Sequence, residues 1–206
     1  MQQRVMDLVS ARKGHFLLES GHHGDLWLDL ESLCLHPKLV KEFAAELAQR
    51  LSSLRVDAVC GPLVEGAFVA LLVASELDVP FTYSERFARP SADGLFPAGY
   101  RVPPALREKL RGKRVAIVND VINAGSAVKG TFVDLEDCRA TVVAIASLLV
   151  LGTAAADFAS AKMVPLMSLA TLDNNLWSAG ECPLCAEGAA LSDVGGFAAS
   201  LANLSR

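Results

Sequence analysis

The chain reads as an α/β protein, a doubly wound and mostly parallel sheet of about five strands with flanking helices. Two observations predict this. Apolar runs at Val56–Cys60, Val79–Tyr83, Arg114–Val118 and Ala140–Leu149 lack polar alternation, as strands buried on both faces do. Segments with helical spacing lie between them, and parallel neighbours need such crossovers.

Taken in order, residues 1–12 read as a short helix. Strands follow at Gly14–Leu18 and Leu26–Leu30, separated by Glu19-Ser20-Gly21-His22-His23-Gly24-Asp25. Pro37 suits the first turn of a helix, and Leu39, Val40, Phe43, Leu47 and Leu51 then share one face. The strand at Val56–Cys60 runs into Gly61-Pro62-Leu63-Val64-Glu65-Gly66, a helix spans Ala67 to about Leu77, and Val79–Tyr83 is the next strand. Residues 85–113 break the alternation with Pro90, Pro97, Pro103, Pro104, Gly94, Gly99, Gly112 and five arginines, which predicts a lid, a β-excursion or a mobile loop. Order returns at Arg114 with a strand, a helix to about Cys138, the strand Ala140–Leu149 and a weaker strand at Val164–Leu172. A Gly-rich tail ends in a short helix, Phe197–Leu204.

Composition narrows the function. The 206 residues are 52% hydrophobic and 20% charged, enough for a substantial core. A net charge of −4 leaves no basic stripe to neutralise nucleic-acid phosphates. Each apolar run is interrupted by Pro, Gly or a charge before it reaches membrane-spanning length, and the first residues lack the apolar core of a signal peptide. A cytoplasmic protein is expected. Five scattered cysteines do not resemble a disulfide framework, and Cys60 at a strand end reads as a packed small hydrophobe. Cys182-Pro183-Leu184-Cys185 has metal-like spacing, but it supplies two of the four ligands of a structural zinc, and the four histidines lie far away in sequence. No zinc site within one chain is expected, and His22-His23 reads as a solvated loop pair. No protein ligand for any metal is assigned.

The most informative stretch is Arg114-Val115-Ala116-Ile117-Val118-Asn119-Asp120-Val121-Ile122-Asn123-Ala124-Gly125-Ser126-Ala127-Val128. A buried strand is closed by an amide and a carboxylate, and a turn of small residues then opens a helix. Small residues let backbone N–H groups approach an anion, and the helix N-terminus adds about half a positive charge. Asn119 and Asp120 supply acceptors in front of that cradle, a combination suited to a phosphorylated sugar. The same strand–turn–helix is also the commonest unit of α/β proteins, and most such turns bind nothing. In open parallel sheets ligands lie beyond the carboxyl ends of the strands. Here those ends carry Gly61–Gly66, Glu85-Arg86 and Asn119–Ser126, three loops converging on one crevice.

The run from Asn119 to Ser126 resembles the 5-phosphoribosyl-1-pyrophosphate (PRPP) signature of the type I phosphoribosyltransferases. Phe16-Leu17-Leu18-Glu19-Ser20-Gly21 with Leu26-Trp27-Leu28-Asp29, the loop Gly61–Ala67, and Trp177 followed by Cys182-Pro183-Leu184-Cys185 and Gly188 resemble further elements of the orotate phosphoribosyltransferase family. The resemblance implies a single domain over 1–206, with a core of about 37–162 and a small hood from about 1–36 and 163–190. It implies transfer of phosphoribosyl from PRPP to orotate, giving orotidine 5′-phosphate and pyrophosphate, with Mg2+ and in a homodimer. Asp120, Arg86 and Arg89 would be catalytic, the two arginines clamping pyrophosphate. Asn119, Asp120, Asn123, Ala124, Gly125, Ser126 and Ala127 would bind PRPP. Pro62, Leu63, Val64, Glu65 and Gly66 would form the pyrophosphate loop, and Phe16 and Glu19 would border the base.

The chain departs from the family pattern at several positions. Asn119 replaces the first acidic residue and Asn123 the usual Thr; Glu19 stands where many relatives carry Lys, and Glu65 places a second carboxylate near pyrophosphate. The family's loop lysine has no counterpart among Ser84–Gly99. Where relatives carry an Asp-Arg pair that grips the carboxylate of the base, this chain has Val150-Leu151, leaving Lys162 or Arg101 as the substitutes. Two alternatives follow from these differences: a phosphoribosyltransferase for a neutral base, or a non-catalytic PRPP- or nucleotide-binding homologue.

Overall fold

The computed structural model describes residues 2–88 and 98–197. Its elements are α1 (Gln2–Met6), β1 (Ser10–Leu17), β2 (His23–Asp29), α2 (Pro37–Leu51), β3 (Ala58–Pro62), α3 (Glu65–Leu77), β4 (Phe81–Ala88), β5 (Ala98–Arg101), α4 (Pro104–Leu110), β6 (Arg114–Ile122), α5 (Ser126–Asp137), β7 (Thr141–Leu151), α6 (Ala154–Ala161), β8 (Leu166–Leu172), β9 (Leu176–Trp177) and α7 (Pro183–Ala186).

The core sheet has the order β5-β4-β3-β6-β7-β8. Five strands are parallel, and β5 returns antiparallel to β4. Both faces are covered, which explains the missing alternation. Along β6, Ala116 and Val118 join the α2 and α3 side, with Phe43, Leu47, Val69 and Val73. Val115 and Ile117 point the other way, onto Val128, Phe132 and Leu135 of α5. Pro37 sits in the first turn of α2, and the apolar stripe Val40, Phe43, Leu47 and Leu51 is buried.

Several expectations change. The first helix ends at Met6 because Ser10–Lys13 pair with Leu26–Asp29, and Arg12 meets Asp29 at 2.9 Å. β6 continues past Asn119-Asp120 to Ile122, because β7 extends to Leu151 and offers Leu149 and Val150 as partners. In the Pro- and Gly-rich segment, the described residues form a β-excursion, with Glu85–Ala88 paired to Ala98–Arg101, followed by α4. Leu166–Leu172 belongs to the edge of the core sheet, so this part of the expected hood is core. The helix α6 had no separate signal in its Ala-rich sequence. The expected helix at Phe197–Leu204 lies, beyond Phe197, outside the described residues.

The hood is the three-stranded sheet β1-β2-β9 with the segment that follows it. Phe16 bridges to Ser192: the Leu17 N–H donates to the Ser192 oxygen at 2.9 Å, and the Ser192 N–H to the His15 oxygen at 2.8 Å. This bridge brings Val194, Gly195 and Phe197 to the carboxyl ends of the core strands. Among the described residues no helix is long and apolar enough to cross a membrane.

Candidate active site

A cleft of about 500 Å3 lies between hood and core at those strand ends. The residues of three core loops line it: Pro62–Gly66 after β3, Arg86 in β4, and Asn119–Val128 at the end of β6 and start of α5. The expected convergence is present, and from the hood Leu18, Glu19, Ser20 and Trp27 complete the wall.

Gly125 has φ +82° and stands just before α5. That left-handed backbone is what glycine adopts without strain, and the first N–H groups of α5, on Ser126, Ala127 and Val128, have no acceptor within the helix and belong to residues that line the cleft. A Cβ at Gly125 would meet nothing nearer than Lys129 Cε at 3.5 Å, so the requirement here is conformational, not one of space. Ser126 is buried. The Asn123 oxygen accepts from Asn174 Nδ2 at 2.6 Å, tying the cradle to the loop after β8.

Asp120 is 5% exposed. Burial pushes its carboxyl up to about 7; the Val121 N–H opposes the rise, and the Glu65 carboxylate adds to it. Asn119 donates from Nδ2 to the Val121 oxygen at 2.7 Å. Its Oδ1 faces Gly66 so closely that a Cβ there would lie 1.9 Å away, so Gly66 is the residue that lets α3 start against the end of β6. Glu65 is the first residue of α3, where its charge suits the helix dipole while still facing the cleft. The Leu63–Val64 peptide in this loop is cis.

Glu19 is engaged on two sides. Arg86 Nε reaches its Oε1 at 2.5 Å, and the Tyr100 hydroxyl donates to the same oxygen at 2.9 Å. Burial, followed by the charge of Glu19, drives the Tyr100 hydroxyl far above its usual range. Arg86 also lies 6.0 Å from the Phe197 ring. Arg89 lies outside the described residues. Phe16 is not part of the cleft wall: it is buried against Trp27, with ring centroids 6.0 Å apart, and of these two rings it is Trp27 that lines the cleft, with Tyr100 and Phe197.

Val150 and Leu151 are buried, and Leu151 forms part of the cleft wall. Neither proposed substitute cation is there. Lys162 pairs with Glu136 at 3.1 Å, and Arg101 lies over the Phe87 ring. Tyr100 and Phe197 escaped sequence reasoning, because they sit in Pro- and Gly-rich stretches without periodicity.

The phosphoribosyl transferase domain family matches residues 30–183. The orotate phosphoribosyltransferase of Caldanaerobacter subterraneus subsp. tengcongensis is 30% identical over 185 residues, 89% of each chain. The crystal structure of orotate phosphoribosyltransferase from Aeropyrum pernix superposes with a TM-score of 0.60 at 25% identity, covering 82% of this chain and 90% of that one. Adenine phosphoribosyltransferase from Thermoanaerobacter pseudethanolicus shares the fold, with a TM-score of 0.65 at 16% identity over 82% of this chain and 99% of that one. With the strand–turn–helix cradle at the mouth of this cleft, these matches place the chain in the phosphoribosyltransferase family, among the orotate phosphoribosyltransferases.

Proposed function

We propose that the chain transfers the phosphoribosyl group of PRPP to orotate, releasing pyrophosphate. The observation that carries this reading is the Asn123–Ala127 cradle set beside buried Asp120 and facing the Pro62–Gly66 loop across one cleft. The free N–H groups at the start of α5 bind the 5-phosphate, and Asn119 and Asp120 accept from the ribose hydroxyls. Displacement at C1 builds positive charge on the sugar and negative charge on the leaving group. Fixed dipoles and charges therefore do more than covalent catalysis. Asp120 supplies a carboxylate near the sugar, and Arg86, once released from Glu19, supplies a cation for pyrophosphate.

Mg2+ bound with PRPP belongs to this reading. The oxygen donors Asp120 and Glu65 repel each other across the cleft, a donor set that suits a hard divalent cation. Bound there, Mg2+ supplies charge neutralisation of pyrophosphate. A homodimer is expected too. Val64, Phe68 and Leu71 are about half exposed on the loop and outer face of α3, an apolar surface suited to a second copy.

The apolar wall at Leu151 favours a second reading, a base without a carboxylate. A buried carboxylate with no cation beside it is costly to bind. Loss of orotate absorbance with PRPP and Mg2+ separates the two. Turnover of orotate supports the first reading; PRPP binding with turnover of a neutral base alone supports the second.

A further inference from the structure

Within the hood, outside the cleft lining, lies a cluster that the transferase chemistry leaves unused. His15 is near the end of β1, His23 opens β2, Cys182 precedes the single turn α7 and Cys185 lies within it. One ligand atom from each lies within 4.8 Å of all the others. His15 Nε2 is 3.1 Å from His23 Nδ1, 3.4 Å from Cys182 Sγ and 3.7 Å from Cys185 Sγ. Cys185 Sγ is 3.2 Å from His23 Nδ1.

Hydrogen bonding does not account for this convergence. A ring nitrogen has one proton or one lone pair, yet His15 Nε2 faces three heteroatoms. Moreover, His15 Nδ1 is 2.9 Å from the Ala189 carbonyl oxygen, which only accepts. The proton of a neutral His15 therefore sits on Nδ1, and Nε2 aims a lone pair into the cluster. A carbonyl that fixes the tautomer from behind is the usual support of a metal-bound histidine. A tetrahedral ion with bonds of about 2.0–2.1 Å to nitrogen and about 2.3 Å to sulfur spaces its ligands about 3.3–3.8 Å apart. The four separations given match that range to within a few tenths of an ångström, and the remaining pairs, within 4.8 Å, need to close by at most about one ångström. His15, His23 and Cys182 are buried, while Cys185 is exposed and gives an ion a way in.

We propose that His15, His23, Cys182 and Cys185 form a structural zinc site. Two thiolates and two imidazoles in a tetrahedron select zinc, and four protein ligands leave no open position for catalysis. The sequence separation that argues against such a site is closed by the hood: the β1–β2 pairing brings His15 to His23, and the Phe16–Ser192 bridge holds the segment after Cys185 alongside β1. The ion fastens the C-terminal segment to the hairpin whose next residues, Leu18 to Ser20, line the cleft.

The test uses the untagged full chain, purified under reducing conditions without chelator. Elemental analysis should find about one zinc per chain. After removal of the metal, Co2+ should bind at about one equivalent, with the thiolate charge-transfer and intense visible bands of a tetrahedral sulfur-ligated site. The metal-free protein should melt lower and recover with Zn2+ but not with Mg2+. Cys182→Ser and His23→Gln should lose stoichiometric binding, and Cys34→Ser should keep it. Wild-type protein with all thiols reduced that binds neither Zn2+ nor Co2+ stoichiometrically overturns the proposal, whether or not the variants fold. A Cys182–Cys185 disulfide in the protein as isolated, or an unchanged cobalt spectrum in Cys182→Ser, overturns it as well.

Discussion

Replacing Asp120 with Asn separates what this carboxylate contributes to the reaction from what it costs the fold. Its titration moves from the ordinary 3.8 to about 7, chiefly through burial. Between those values the folded chain keeps a proton that the unfolded chain has lost, so stability falls as pH rises. At about 1.36 kcal/mol per pH unit the interval is worth about 4 kcal/mol, present below about pH 4, lost by about pH 7 and flat above. Asn keeps the shape and carries no charge. Asp120→Asn should therefore match the wild type near about pH 4 and exceed its unfolding free energy by up to about 4 kcal/mol near about pH 8. Urea denaturation across that range measures the difference, and comparison with the variant cancels the titrating groups that do not interact with Asp120. In the same variant, PRPP-dependent turnover should fall by about two to three orders of magnitude, the scale of removing one charge-stabilising group. A stability difference that does not change with pH would refute the displaced titration. Unchanged turnover would remove Asp120 from the sugar site.

Other substitutions probe the walls of the cleft. Gly66→Ala puts a Cβ 1.9 Å from Asn119 Oδ1 and displaces that side chain from Val121. It should cost about 1–3 kcal/mol in denaturant melts and raise KM for PRPP. Gly125→Ala has room for its methyl group but keeps φ near +82°. It should cost about 1–2 kcal/mol and weaken the stabilisation of the protein by PRPP in thermal melts. Glu19→Gln frees Arg86 from a half-exposed ion pair. Product inhibition by pyrophosphate should tighten about two- to fivefold, as about 0.5–1 kcal/mol predicts. An unchanged inhibition constant would show that Arg86 does not reach pyrophosphate.

Sequence revealed the parallel core because the physics there is local and repeated. Val115–Val118 is apolar on both faces, and Asn119–Ser126 changes from strand to turn to helix within a few residues. What escaped depends on contacts across the chain. Glu19 and Tyr100 are 81 residues apart and meet only when the β4–β5 excursion folds beside the hood. His15 and Cys182 are 167 apart, and no local pattern ties a histidine in a strand to a cysteine before a helical turn. Phe16, placed beside the base by the resemblance, packs on Trp27, and it is Trp27 that lines the cleft.

The charge balance of the cleft leads to a last expectation. Its described lining carries four carboxylates, from Glu19, Asp29, Glu65 and Asp120, and one cationic side chain, Arg86. Asp29 is paired with Arg12, and Arg86 is already held by Glu19. A substrate bearing a pyrophosphate thus enters a site whose fixed charges repel it. The helix dipole offers about half a charge against that repulsion, too little alone. PRPP should therefore stabilise this protein only together with a divalent cation. Thermal melts of desalted protein with PRPP, with and without added Mg2+, measure this. Chelators are left out, because they would also strip a metal from the hood. Equal stabilisation without Mg2+ would refute the argument and point to a cation from outside the described lining, such as Arg89 from this chain or from a second copy.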